Sequence, residues 1–151
     1  MQIDFILNEN KCCIEVAPDE MLADALRKIG MLSIRQGCDT SCCGLCSVWL
    51  ERSPVLSCTI PAFRVHGKKV TTIEGVQTEA EKFARILAAE GAEQCGFCSP
   101  GFIMTVLAMK NELQNPSDEA IQHYLAGNLC RCTGYMGQMR AVKTYLEVTA
   151  S

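Results

Sequence analysis

Eleven of the 151 residues are cysteines, and eight of these fall into two spaced sets, Cys38-x4-Cys43-x2-Cys46 with Cys58, and Cys95-x2-Cys98 with Cys130-x-Cys132. No other feature constrains the fold so strongly. At about 7% the density lies just under that of a short secreted disulfide scaffold. The opening MQIDFILNEN carries Asp4 and Glu9 within its apolar stretch and has no cationic lead-in, so it reads neither as a signal peptide nor as a transit peptide. The expected location is therefore cytoplasmic, where thiols stay reduced and clustered cysteines act as metal or cluster ligands. The odd total points the same way.

The chain between the cysteines changes character near residue 75. Ile3, Phe5 and Leu7 alternate with polar neighbours, turn through Asn8-Glu9-Asn10 and return along Cys12, Ile14 and Val16, which predicts a β-hairpin. Met21, Leu22, Ala25, Leu26 and Ile29 form a helical stripe entered by Asp19 and stopped by Gly30. Gly37–Cys46 has no periodicity and reads as a loop. Val48–Leu50 and Val55-Leu56 flank a turn at Glu51-Arg52-Ser53, and Lys69–Ile73 reads as a later strand. Beyond Gly75 only helices are expected. Thr78–Glu81 reads as a capping box, Ser99-Pro100 as an N-cap with a first-position proline, and Ser117 as the cap of a shorter helix; a last helix follows Thr133-Gly134. The expectation is an α+β chain with a sheet lobe over 1–75 and a four-helix bundle over 76–151. Its two-fold echo of helix, cysteine loop and helix sets two helix N-termini side by side.

Several function classes drop out. A net charge of −3 without a basic block offers no footprint for nucleic acid. No run approaches the roughly 18 apolar residues of a membrane span. There is no P-loop, dinucleotide fingerprint, Ser/His/Asp set or paired carboxylate motif. His66 sits in a turn and His123 mid-helix, so neither joins the cysteines as a Rieske centre requires. The residues describe a carrier of electrons, with no site for bond chemistry.

The first set has the C-x4-C-x2-C…C spacing of plant-type 2Fe-2S ferredoxins. Three thiolates on one wrapping loop and a fourth from the adjoining strand suit a rhomb of two irons and two sulfides. A zinc site built on Cys43-x2-Cys46 is the alternative. In the second set a C-x-C pair suits a zinc knuckle poorly, and both pairs lie at predicted helix starts, whose dipoles favour an anion. An oxidised four-thiolate 2Fe-2S unit, with a charge of about −2, meets that description. Cys12 reads as a small core residue, Cys13 as outward-facing, and Cys42 as a bystander because it breaks both spacings.

The runs Gln94-Cys95-Gly96-Phe97-Cys98-Ser99-Pro100-Gly101 and Gly127-Asn128-Leu129-Cys130-Arg131-Cys132-Thr133-Gly134-Tyr135 strongly resemble the iron-sulfur subunit of the molybdenum hydroxylases. This is the family of xanthine dehydrogenase, aldehyde oxidoreductase and carbon monoxide dehydrogenase. The resemblance spans essentially the whole chain. It implies a β-grasp ferredoxin-like lobe and a helical lobe, each with a 2Fe-2S cluster, held by Cys38, Cys43, Cys46 and Cys58 and by Cys95, Cys98, Cys130 and Cys132. It implies a place between a large molybdopterin-binding subunit and a medium FAD-binding subunit, in a dimer of heterotrimers. Gln94 and Cys132 would lie closest to the pterin, with Gln94 as a plain helix-capping amide the alternative.

The resemblance favours an enzyme of the xanthine or purine type. Aldehyde, carbon monoxide, nicotinate and hydroxybenzoyl-CoA types are alternatives, and a zinc-binding interaction module is a reading from another class. The first loop departs from the family, which usually has glycines where this chain has Asp39 and Ser41. Of these two, Asp39 tolerates a left-handed backbone the more readily. Glu51-Arg52-Ser53 likewise replaces a usual Asp-Gly turn.

Overall fold

The computed structural model describes residues 1–150. Strands β1 (Gln2–Leu7) and β2 (Asn10–Glu15) form the first hairpin, with Leu7 paired to Asn10. Asn10 is thus a strand residue, and Asn8 and Glu9 alone make the turn, both at positive φ. Such two-residue turns match the twist of the flanking strands. Helix α1 (Leu22–Lys28) follows, then β3 (Ser47–Leu50), β4 (Ser53–Leu56) and β5 (Lys69–Thr71). The sheet order is β2-β1-β5-β3-β4, with β5 parallel to β1 and the other pairs antiparallel. This is the β-grasp arrangement: α1 buries Leu22, Ala25 and Leu26 against Ile3, Phe5, Val48 and Val70. Each large apolar side chain so buried contributes about 1.5–3 kcal/mol.

Helices α2 (Gln77–Ala89), α3 (Ser99–Glu112), α4 (Asp118–Leu125) and α5 (Met136–Ala150) complete the chain. From Gly101 to Met109 every residue of α3 is buried. A helix apolar all round belongs inside, and α3 lies between the β3-β4 hairpin and the other helices. Phe83 joins α2 to α3 and α5, with ring centroids 6.0 Å from Phe102 and 5.0 Å from Tyr145. Trp49 packs against this helical core, and its indole N–H donates to the Met104 carbonyl at 2.9 Å. No helix among the described residues is long and apolar enough to cross a membrane.

The local expectations differ from the structure at a few ends. Asp19 does not cap α1, whose N-cap is Met21 in a bridge to Pro61. Thr78 lies inside α2, because the 3-10 turn Ile73–Gly75 feeds the helix two residues sooner through Val76. Ser99 is the first residue of α3; Cys98 is the N-cap, and the Ser99 hydroxyl donates to Glu93 at 2.8 Å. Ser117 does cap α4, accepting from the Ala120 N–H at 3.2 Å. The Lys69–Ile73 strand stops at Thr71, since Thr72 turns away to bond Asn8.

Candidate iron-sulfur sites

The irregular stretch before β3 gathers the first cysteines, and the β3-β4 hairpin returns the chain to them. Ser57, fully buried, donates through its hydroxyl to the Cys46 carbonyl at 2.7 Å. This fixes Cys58 beside Cys46; Cys58 sits in the 3-10 turn Ser57–Thr59 and not on the strand itself. Cys38 and Cys43 form a second pair of interacting thiols, so the set divides two and two. The Cys42 N–H points at the Cys38 sulfur at 3.4 Å. The neighbouring Cys43 thiol, with the peptide N–H groups of Cys42 and Cys43, pulls the Cys38 thiol down to about 6. Burial pushes Cys43 up and Cys46 up to about 11. In this loop Ser41, not Asp39, takes the left-handed backbone, at φ 57. Asp39 is spared because the turn falls two residues later, just ahead of the adjacent Cys42 and Cys43.

The second set closes across the helical lobe. The Cys132 and Cys95 sulfurs stand 3.5 Å apart, and Cys98 meets Cys130. The Cys95 neighbour raises the Cys132 thiol, and burial takes Cys98 up to about 11. Burial also acts upward on Cys130, but the Thr133 hydroxyl, at 3.2 Å, and the Cys132 and Thr133 N–H groups outweigh it and bring that thiol down. Cys98 is the N-cap of α3, and the Cys130–Cys132 loop leads into α5, so two helix N-termini do face this site. Gln94 donates to the Cys132 carbonyl at 3.2 Å, tying the two cysteine loops together. It is exposed, as are Cys95 and Cys132.

Eight thiols thus form four pairs, two pairs to a site. Among the described residues no group of three or more His, Cys, Asp or Glu side chains is disposed around one metal ion. Tetrahedral zinc needs four ligands converging on a point at about 2.0–2.3 Å, whereas the thiols here stand as two pairs in each site. Four cysteine thiolates around two irons are the ligation of a 2Fe-2S cluster, which would take one thiol pair per iron. The peptide N–H groups aimed at Cys38, Cys43 and Cys130 suit the anion that such a unit would be. Of the three remaining cysteines, Cys12 packs against the sheet core, while Cys13 and Cys42 are exposed.

The two sites are held close by small residues. The Leu129 N–H donates to the Cys43 carbonyl at 2.9 Å, and the buried Asn128 amide to the Gly44 carbonyl at 3.3 Å. A Cβ on Gly44 would meet the Gly127 carbonyl at 2.3 Å, and one on Gly101 the Gly44 carbonyl at 2.5 Å. Arg35, ahead of the first set, lies over the Phe97 ring of the second at 5.7 Å. These cross-links were not foreseen from spacing, which speaks only of neighbours in sequence.

Sequence comparison matches the family described as "2Fe-2S iron-sulfur cluster binding domain" over residues 5–68 and the "2Fe-2S binding domain" family over residues 72–143. The chain is 35% identical to the nicotinate dehydrogenase small FeS subunit of Eubacterium barkeri, covering 99% of this chain and 97% of that one. This chain belongs to the iron-sulfur subunits of the molybdenum hydroxylases. It is also 38% identical to the xanthine dehydrogenase iron-sulfur-binding subunit of Escherichia coli O157:H7, over 88% of this chain and 86% of that one. Among solved structures it is similar to a chain of quinoline 2-oxidoreductase from Pseudomonas putida 86, with TM-score 0.90 at 30% identity, covering 99% and 96% of the two chains. The iron-sulfur subunit is therefore a 2Fe-2S protein and a component of an oxidoreductase complex.

Proposed function

We propose that this iron-sulfur subunit carries electrons from a molybdopterin centre in a large subunit to FAD in a medium subunit, within a dimer of heterotrimers. We assign Cys38, Cys43, Cys46 and Cys58 to one cluster and Cys95, Cys98, Cys130 and Cys132 to the other, with the chain dividing into cluster-binding lobes at about residue 75. When bound, the two clusters supply one-electron storage at two points on the way. The supporting observation is the hydrogen bond from Leu129 to Cys43, which connects a ligand of one site to the residue beside Cys130, a ligand of the other. A fixed, short connection is what a relay needs and what a structural zinc module does not.

Each of the chain's own groups has a task in this reading. Ser57 holds Cys58 in place, Thr133 donates to Cys130, and Gly44 and Gly101 allow the lobes to approach. The exposed Gln94, Cys95 and Cys132, with Phe97, Leu129 and Tyr135 also exposed around them, form the face we assign to the large subunit. Gln94 and Cys132 there offer hydrogen-bonding groups to the pterin. The relatives named above are called after nicotinate, xanthine and quinoline, all nitrogen heterocycles. We accordingly assign the assembly to heterocycle hydroxylation of the xanthine or purine type, with substrate held by the large subunit. All eleven thiols are free, which suits a reducing cytoplasmic setting.

The test is purification of the tagged chain from its native cells. Recovery with two larger chains, one holding molybdenum and one holding FAD, is expected. Recovery as a lone iron-sulfur protein would contradict the subunit reading and support a free ferredoxin.

A further inference from the structure

Gln138, in the first turn of α5, is 5% exposed, yet its Oε1 is buried without a hydrogen-bond partner. Its Nε2 points at the Cys98 sulfur at 3.9 Å. Leu45, Phe102, Leu129, Cys130 and Asn128, whose amide is engaged with the Gly44 carbonyl, pack around the two side chains, with no space left for water. Buried polar atoms are normally satisfied, and a leucine or methionine would fill this place without an orphaned carbonyl. The amide therefore needs an explanation on its N–H side.

We propose that Gln138 is a positioning residue of the second cluster, its amide N–H donating to the Cys98 thiolate and making that cluster easier to reduce. This rests on the ligand assignment given above. The Cys98 thiolate is half-buried against these side chains, and hydrogen bonds to charged acceptors are the strong ones. The amide orientation follows from the same chemistry, since its flipped form would set a carbonyl oxygen against a thiolate. Reduction adds one electron to the cluster with no bond made or broken, so its sulfurs gain negative charge. The N–H···S hydrogen bond strengthens with that charge and favours the reduced state. Gln138 is buried and reaches only Cys98 of the eight thiols, so its effect is confined to the potential of one cluster.

The experiment is a redox titration of the intact complex, followed by electron paramagnetic resonance, for the unsubstituted protein and for Gln138→Leu and Gln138→Met. Iron is counted in each sample, and exchange into deuterium oxide tests for an exchangeable proton coupled to the second cluster. With full iron content, the second cluster should become harder to reduce in both variants, its reduced-to-oxidised ratio at a fixed potential falling about fivefold. The first cluster should be unmoved, and one deuteron coupling should disappear. An unchanged second-cluster potential at full iron overturns the proposal, as does loss of iron in both variants, which would mark Gln138 as structural. Absence of a second signal from the unsubstituted protein overturns the ligand assignment itself.

Discussion

The peptide N–H of Leu129 donates to the carbonyl oxygen of Cys43 at 2.9 Å, so a single backbone hydrogen bond spans the two thiol sites. Leu129 precedes Cys130, and Cys43 sits mid-loop in the first set. Both ends are peptide groups, so only a proline in place of Leu129 removes the link directly. Its geometry depends on how closely the lobes approach, and that closeness rests on glycine.

Gly44→Ala is expected to push the lobes apart. The added methyl would meet the Gly127 carbonyl at 2.3 Å, and φ at this position is +73°. Overpacking and a left-handed alanine together predict a loss of about 2–4 kcal/mol. Thermal unfolding reads that loss, and freeze-quench paramagnetic resonance should show slower equilibration between the clusters. Wild-type melting and wild-type equilibration would mean that the interface yields more easily than its geometry indicates.

Thiol reactivity in the cluster-free chain should be sharply uneven. With Cys38 at about 6 and Cys98 at about 11, about nine in ten Cys38 thiols, but only about one in ten thousand Cys98 thiols, are ionised at pH 7. Iodoacetamide followed by peptide mass spectrometry should find Cys38 modified first and Cys46 and Cys98 last. Cys46 and Cys98 are raised above the ordinary thiol value of 9.0. Their contribution to stability is therefore complete below pH 9 and lost as pH rises through 11. The depressed Cys38 acts in the opposite sense, its contribution complete above pH 9 and lost as pH falls through 6. Cluster loading must release the Cys46 and Cys98 protons at neutral pH, so affinity should fall on acidification.

Cys42 is adjacent to Cys43, which we assign as a ligand, without the geometry of one. It is exposed, its sulfur lies 3.1 Å from the Thr40 hydroxyl, and only its backbone N–H reaches Cys38. Cys42→Ser should retain full iron and both signals, whereas Cys43→Ser should lose the first-site signal alone. Loss of iron in Cys42→Ser would exchange the roles assigned to the two neighbours.

Trp49→Phe should cost about 1 kcal/mol by deleting the indole bond to Met104. Because that bond crosses from the sheet to α3, the loss should appear as a lower melting temperature with unchanged iron content. An unshifted melting temperature would leave the lobe junction to the glycine contacts and the Leu129 and Asn128 hydrogen bonds.

Much of this was legible in the sequence, for physical reasons that differ by element. Ile3, Phe5 and Leu7 announce a half-buried strand, and Ser117 announces a helix start, since periodicity and capping are local. Spacing marks the cysteines because a loop can wrap a cluster only at certain intervals. The missed features are tertiary or depend on one or two residues of register. Thr78 resembles a cap but falls inside α2, and Ser99 yields the cap to Cys98. The turn at Glu51-Arg52 adopts positive φ without glycine, forced by the β3-β4 pairing around it. The pairing of Cys95 with Cys132 and the orphaned amide of Gln138 depend on how α3 and α5 meet, which no local pattern reports.

The most direct measurement is iron, acid-labile sulfide and zinc per chain, with paramagnetic resonance of the dithionite-reduced protein. Eight thiols in two sites predict about four irons and four sulfides with two distinct signals. Colourless protein containing zinc, or two irons with a single signal, would contradict the assignment of a cluster to each site.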